Sequence, residues 1–144
     1  MRILIDTNIL ISALFYGGLP EKLLTELDEK IFSVCVNEKI FSEYREQIRK
    51  KVLEKKKQIN ENLSKKFFSN LQSFEIESDL QICRDPKDDK FINCAIDAKA
   101  IYIVSGDKDL LTIKNFFEIE IVTAREFYEK YLKKNPPISR GNFF

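Results

Sequence analysis

Ile3, Leu4 and Ile5 form a short apolar run that stops at Asp6, and from Asn8 a second apolar segment of helical length reaches Phe15. That pattern reads as strand, turn and helix. Gly17-Gly18-Leu19-Pro20 breaks the chain, and Pro20 suits the first turn of a helix with Leu23, Leu24 and Leu27 on one face. A second strand is expected at "IFSVCV", residues 31–36. Tyr44, Ile48, Val52, Ile59, Leu63, Phe67 and Leu71 then recur at spacings of four or seven, which predicts a helical stripe folded as a hairpin with its break near residues 57–60.

A short strand is expected at Phe74, Glu75 and Ile76, followed by the acidic turn "RDPKDDK". Phe91, Ile92, Ala95 and Ile96 stand at helical spacing, so a helix should begin at Asp88 or Asp89, where a carboxylate can cap free N–H groups. "IYIV" is a further buried strand, "IEIV" the last, and "TAREFYEKYL" a closing helix whose Thr123 and Glu126 have capping-box spacing. Strands alternating with helices predict a three-layer α/β/α domain over residues 1–132, with a central parallel sheet of four or five strands plus the helical hairpin. Residues 133–144 carry two prolines, a glycine and no periodicity, and are expected to form an extended tail whose Phe143 and Phe144 could dock on the domain or on a second subunit.

Composition changes this picture at one point. The chain has 144 residues, 44% of them hydrophobic, which suits one globular domain with one core. No apolar run approaches the length of a membrane span and the N-terminus lacks signal-peptide features, so a cytoplasmic protein is expected. Cys35, Cys83 and Cys94 are too scattered for a disulfide framework or a metal knuckle and read as buried thiols. The decisive number is zero histidines, which removes Ser-His-Asp and Cys-His nucleophile systems and His-based zinc hydrolases together. Hydrolysis by this chain must rely on carboxylates, Lys, Tyr, hydroxyls or a metal.

The net charge of +1 hides an uneven distribution, because residues 45–66 hold nine Lys or Arg against three Glu. Such a segment is either a solvated helix face or a grip on the phosphate backbone of a nucleic acid, with Arg49, Lys50, Lys51, Lys55, Lys56 and Lys57 as the candidate residues.

In an open parallel sheet the ligand crevice lies beyond the carboxyl ends of the strands. Asp6 follows the first strand directly and Asp107 lies three residues after Val104. Asp89 can join them from a helix start and Glu43 from the helix after the second strand. Four acids at one sheet edge repel one another unless a cation neutralises them, and a donor set of hard oxygens selects Mg²⁺ or Mn²⁺. A divalent ion so held can lower the pKa of water, orient the attacking hydroxide and stabilise charge on a phosphodiester. Each acid also has a plainer reading: Asp6 or Asn8 as a helix cap, Asp88 or Asp89 as another, Asp107 as a turn residue. Only their conjunction points to a site.

The series "ILIDTNILISAL", "FSEYREQI", "RDPKDDKFINCAIDAKAIYIVSGDKDLL" and "IEIVTAREF" resembles the PIN-domain family, and within it the VapC-like toxin components of toxin–antitoxin pairs. The resemblance runs from about Arg2 to Tyr131. It implies a Mg²⁺- or Mn²⁺-dependent endoribonuclease whose four acids are matched by Asp6, Glu43, Asp89 and Asp107. Asn8 and Ser105 match polar positions that brace the metal ligands, Ser105 standing where Thr is usual. Asp109 matches an auxiliary acid, and Asp88, preceding the motif acid, is left as a cap or as support. The resemblance also implies an antitoxin partner and a homodimer. Two other readings stay open on the residues alone: a non-catalytic interaction or RNA-binding module, and an Asp-nucleophile phosphatase using Asp6.

Overall fold

The computed structural model describes residues 1–133, so the expected tail lies outside the described residues, Lys133 apart. A six-stranded sheet has the order β3-β2-β1-β4-β6-β5, with β1 at Arg2–Ile5, β2 at Ser33–Val36, β3 at Leu71–Ser73, β4 at Tyr102–Val104, β5 at Asn115–Phe116 and β6 at Ile119–Val122. All neighbouring pairs are parallel except the short edge pair β5–β6. Ile3, Leu4 and Ile5, like Ile103 and Val104, are fully buried, as central strands covered on both faces require.

The first helices are α1 (Thr7–Phe15), α2 (Gly18–Glu26), α3 (Glu38–Arg49) and α4 (Glu61–Ser69). They are followed by α5 (Asp89–Ala98), α6 (Lys108–Ile113) and α7 (Ala124–Phe127). Gly17 and Gly18 both have φ above +70°, the conformation that permits the tight reversal between α1 and α2. Helix α5 packs against β1, β2 and β4, while α1 packs on α2 and α2 on α7, giving the three-layer α/β/α arrangement. The capping box of α7 is present, Thr123 and Glu126 each satisfying the other's backbone N–H.

The basic segment forms the expected hairpin. A π-helical turn at Lys50–Glu54 extends α3, the chain breaks over residues 55–60, and α4 returns. Tyr44, Leu63 and Phe67 of the stripe are buried, but Val52 is exposed because it lies on the extension past the sheet. Two expectations shift. The third strand forms at Leu71–Ser73 rather than over residues 74–76, because pairing with Val34, Cys35 and Val36 fixes its position. The edge strand β5 was not signalled, since two residues carry no period.

The segment after β3 is held without a sheet. Three polar side chains of α5 spaced four residues apart, Asp89, Asn93 and Asp97, point along the helix at its backbone. Asp97 accepts from the N–H groups of Glu77 and Ser78, at 2.9 and 3.0 Å. Asn93 exchanges hydrogen bonds with both backbone groups of Leu80, at 2.8 and 3.1 Å. Asp89 accepts from Ile82 and Cys83, at 3.0 and 2.7 Å. This ladder satisfies backbone donors that a strand partner would otherwise take.

Candidate active site

The sheet changes winding direction between β1 and β4: the chain builds outward from β1 through β2 and β3, then returns to place β4 on the other side. A crevice opens at such a point beyond the strand ends. Register pairs Ile5 with Val104, so the next residues, Asp6 and Ser105, emerge side by side. Their backbones continue the ladder, Asp6 N–H to the Val104 carbonyl and Ser105 N–H to the Val122 carbonyl, each 2.9 Å.

Ser105, fully buried, donates its hydroxyl to Asp6 Oδ2 at 2.6 Å and accepts from the Asp107 N–H at 2.9 Å. One hydroxyl thus sets the position of both acids. Asp6 stands at the N-cap of α1 without a well-formed side-chain cap, the Asn8 N–H lying close enough only to help lower its carboxyl. Burial pushes its carboxyl above the ordinary range; the Ser105 hydrogen bond opposes this, and the charges of Asp107 and Glu43 push it up again. Asp107 does cap α6, with Oδ1 accepting from Asp109 N–H at 2.7 Å. Capping and site membership are compatible, because a carboxylate has a second oxygen.

Asp88, Asp107 and Asp109 each offer a carboxylate oxygen within 4.8 Å of the others. Burial, followed by the charges of Asp107, Asp85 and Asp6, raises Asp88 to about 6. Asp89, the acid expected at this place in the site, is bonded to the loop before it. Burial raises its carboxyl, but the N–H groups of Cys83 and Ile82 more than offset this and leave it below the ordinary range. Both loop N–H groups are accepted by Asp89 Oδ1, while the neighbouring Asp88 converges with Asp107 and Asp109. The one-residue difference arises at the 3-10 turn Pro86–Asp88, which rotates successive side chains to different sides of the helix start.

Glu43 reaches the site through α3. Buried Tyr44 donates its hydroxyl to the Ile5 carbonyl, fixing α3 against the end of β1 and putting Glu43 beside Thr7. The Thr7 hydroxyl donates to Glu43 Oε2, and Lys90 Nζ lies 2.6 Å from Oε1. Asp109 is likewise paired, with Arg84 at 2.8 Å. Thr7, Arg84 and Lys90 were not singled out in the sequence, although Lys90 directly follows the acid pair and Arg84 opens its turn. Asn8 has an exposed side chain, and it is its backbone N–H that lowers the Asp6 carboxyl.

The residues fit a hard divalent ion: the converging donors are carboxylate oxygens, and burial, followed by the charges of neighbouring acids, holds Asp6 and Asp88 above their ordinary ionisation range. A groove of about 540 Å³, walled by Lys39, Lys87 and Lys90 among others, runs beside the site between α5 and the strapped loop. Among the described residues no helix is long and apolar enough to cross a membrane.

The fold is similar to that of a chain in the crystal structure of VapBC2 from Rickettsia felis bound to a DNA fragment from their promoter. The match has a TM-score of 0.57 and 16% identity, and covers 84% of this chain and 97% of that one. An uncharacterized protein of Methanocaldococcus jannaschii, MJ1680, is 32% identical over 149 residues, covering 92% of this chain and 93% of its own length. Residues 2–109 match the family model described as PIN domain, which takes in β1 to the start of α6 and every acid of the site. The chain belongs to the PIN-domain family.

Proposed function

We propose that this protein is a Mg²⁺- or Mn²⁺-dependent endoribonuclease and the toxin of a toxin–antitoxin pair. Family membership supports the coarser reading, a hydrolase acting on nucleic acid. The observation that carries the finer one is the placement of Asp88, Asp107 and Asp109 within 4.8 Å of one another at the switch point, with Asp6 tied to Asp107 through Ser105, and with burial first and shared charge second pushing Asp6 and Asp88 up. Asp6, Asp88 and Asp107 would hold the ion, with Glu43 and Asp109 joining when they leave Lys90 and Arg84. Bound there, a divalent ion activates water and offsets charge on the phosphodiester.

The chain's own residues do the rest. Ser105 sets the spacing of Asp6 and Asp107. Asp89 holds the loop that walls the groove. Lys39, Lys87 and Lys90 supply the positive charge that draws a phosphate backbone toward the acids. The partner has a candidate seat as well. An exposed apolar groove of about 520 Å³ between α3 and α4, with Phe41, Ile48, Leu53 and Phe68 inside and Arg45 and Arg49 at its rim, suits an amphipathic antitoxin segment with acidic flanks.

The test is cleavage of a mixed panel of single-stranded and structured RNAs in EDTA, Mg²⁺ or Mn²⁺ by the wild type and Asp6→Asn. Metal-dependent cutting that disappears in the variant supports the reading. Two internal ion pairs, Lys90–Glu43 and Arg84–Asp109, favour the alternative of a binding-only module, because they neutralise two of the acids. That alternative prevails if neither metal raises the melting temperature, since an ion that binds only the folded state must stabilise it.

A further inference from the structure

Helices α1 and α3 run side by side in the same direction and are cross-linked at both ends. Thr7 bonds Glu43 at the acidic end, and Lys51 Nζ donates to the Tyr16 hydroxyl at 3.0 Å at the other. Nine residues of α1 separate the two links, a distance of about 13 Å at the ~1.5 Å rise of a helix.

The far link is the centre of a cluster. Tyr16 is 55% exposed, with Lys51 Nζ 5.2 Å and Lys57 Nζ 5.6 Å from its ring centroid. Lys57 reaches that position through Lys56, whose φ of 53° places a non-glycine residue in the left-handed region. The turn so formed returns the Lys57 N–H to the Lys51 carbonyl at 2.9 Å. Holding a lysine in this conformation costs about 1 kcal/mol. Among the described residues Lys51, Lys55, Lys56 and Lys57 make no ion pair, whereas Arg49 is neutralised by Glu46 and Glu54. The Tyr16 hydroxyl is pulled below its ordinary range, chiefly by the Lys51 hydrogen bond and then by the charges of Lys51, Lys57 and Lys55.

We propose that Tyr16, Lys51 and Lys57 form an anchoring subsite for single-stranded nucleic acid, a base lying on the Tyr16 ring and a backbone phosphate held by the two lysines. An exposed aromatic face beside unpaired ammonium groups is the combination that binds single strands without sequence preference. A solvated helix face would leave its lysines spread or paired with acids; here the chain bends back to gather two of them around one tyrosine, Lys51 at its hydroxyl. The roughly 13 Å along α1 from Tyr16 back to Thr7, the neighbour of Asp6, corresponds to about four nucleotides of a stacked strand at ~3.4 Å per nucleotide. The subsite therefore sets a minimum substrate length and a fixed offset between anchor and cut. This deepens the nuclease reading and rests on it.

The test is fluorescence anisotropy of fluorescein-labelled single-stranded RNA, with DNA of the same sequence and duplex RNA alongside, in EDTA so that no strand is cut. Tyr16→Ala should weaken single-strand binding about tenfold while Tyr16→Phe, which keeps the ring, retains most of the affinity. The double variant Lys51→Gln/Lys57→Gln should reduce the slope of log affinity against log salt by about 1.4. Comparable binding of RNA and DNA single strands fits the anchor. Unchanged affinity and slope in variants that melt like the wild type, or stronger binding of duplex than of single strand, would overturn it. Binding that persists while no metal-dependent cleavage is found would instead count against the nuclease reading and leave the anchor standing.

Discussion

Asp88 and Asp89 are adjacent in the chain, yet Asp89 accepts two backbone hydrogen bonds from the loop at Ile82 and Cys83 while Asp88 converges with Asp107 and Asp109. On the function proposed above, Asp89 serves the loop and Asp88 the ion, and substitution should separate them. Asp88→Asn should abolish the rise in melting temperature caused by Mn²⁺ and cost little stability without metal. Asp89→Ala should leave two backbone donors without their partner and lower stability by about 1–3 kcal/mol. Hydrogen exchange at Ile82 and Cys83 should accelerate in Asp89→Ala alone. A lost metal response in Asp89→Asn, with exchange unchanged, would return Asp89 to the metal set.

Ser105 links Asp6 to Asp107 through one buried hydroxyl. Ser105→Ala removes a donor from Asp6 and an acceptor from the Asp107 N–H, at a cost of about 1–3 kcal/mol. It also withdraws the hydrogen bond that opposes the upward shift of Asp6. The pH needed for half-maximal metal binding should therefore rise. Ser105→Thr keeps the hydroxyl and should preserve that pH, even if its extra methyl lowers the melting temperature. Metal titrations at several pH values compare the two.

The acid cluster also fixes how metal-free stability responds to pH. Asp88 is raised to about 6 and Asp6 is raised as well, against an unfolded value of about 3.9. Between roughly pH 4 and 6 the folded chain keeps protons that the unfolded chain has released, so stability falls as pH rises through this window and levels off above it. Asp89 and Asp97, held low by backbone N–H groups, act in the opposite sense only as pH drops below about 4. Thermal melts in EDTA should therefore show a higher melting temperature near pH 4.5 than at 7. Saturating Mn²⁺ should reverse that order, and Asp88→Asn should flatten the metal-free slope.

Much of this was legible in the sequence because it rests on period and position. The strand ends that carry Asp6 and Asp107 followed from apolar runs that stop at polar residues, and register then brings Asp6 beside Ser105. The hairpin followed from a stripe of spacings of four and seven. That Asp88 converges with Asp107 and Asp109 while Asp89 bonds the loop was not legible, because a 3-10 turn sets both directions and no period reports such a turn. The ladder of Asp89, Asn93 and Asp97 did leave a trace, three polar residues at four-residue spacing on a helix whose other residues, Lys90 apart, are apolar. The ion pairs of Lys90 and Arg84 left none. Each depends on how a long side chain folds back across a crevice.

The pair of Lys90 and Glu43 decides how many ions the cluster can take. Lys90 is only 13% exposed and its ammonium sits 2.6 Å from Glu43 Oε1, while Thr7 engages the other oxygen. An ammonium there already supplies positive charge at the Glu43 side of the site, so a single ion should bind tightly at Asp6, Asp88 and Asp107 and a second should compete with Lys90. Lys90→Met removes the competitor but leaves Glu43 half-buried with one partner. Metal-free stability at neutral pH should fall by about 1–3 kcal/mol, between the cost of breaking an exposed pair and a buried one. Mn²⁺ titrated by calorimetry should then show a second or a tighter binding event, and saturation should recover the lost stability. Lys90→Arg keeps the charge and should behave like the wild type in stoichiometry. Unchanged stoichiometry and affinity in Lys90→Met would remove Glu43 from the metal set and leave it as the residue that ties α3 to α5.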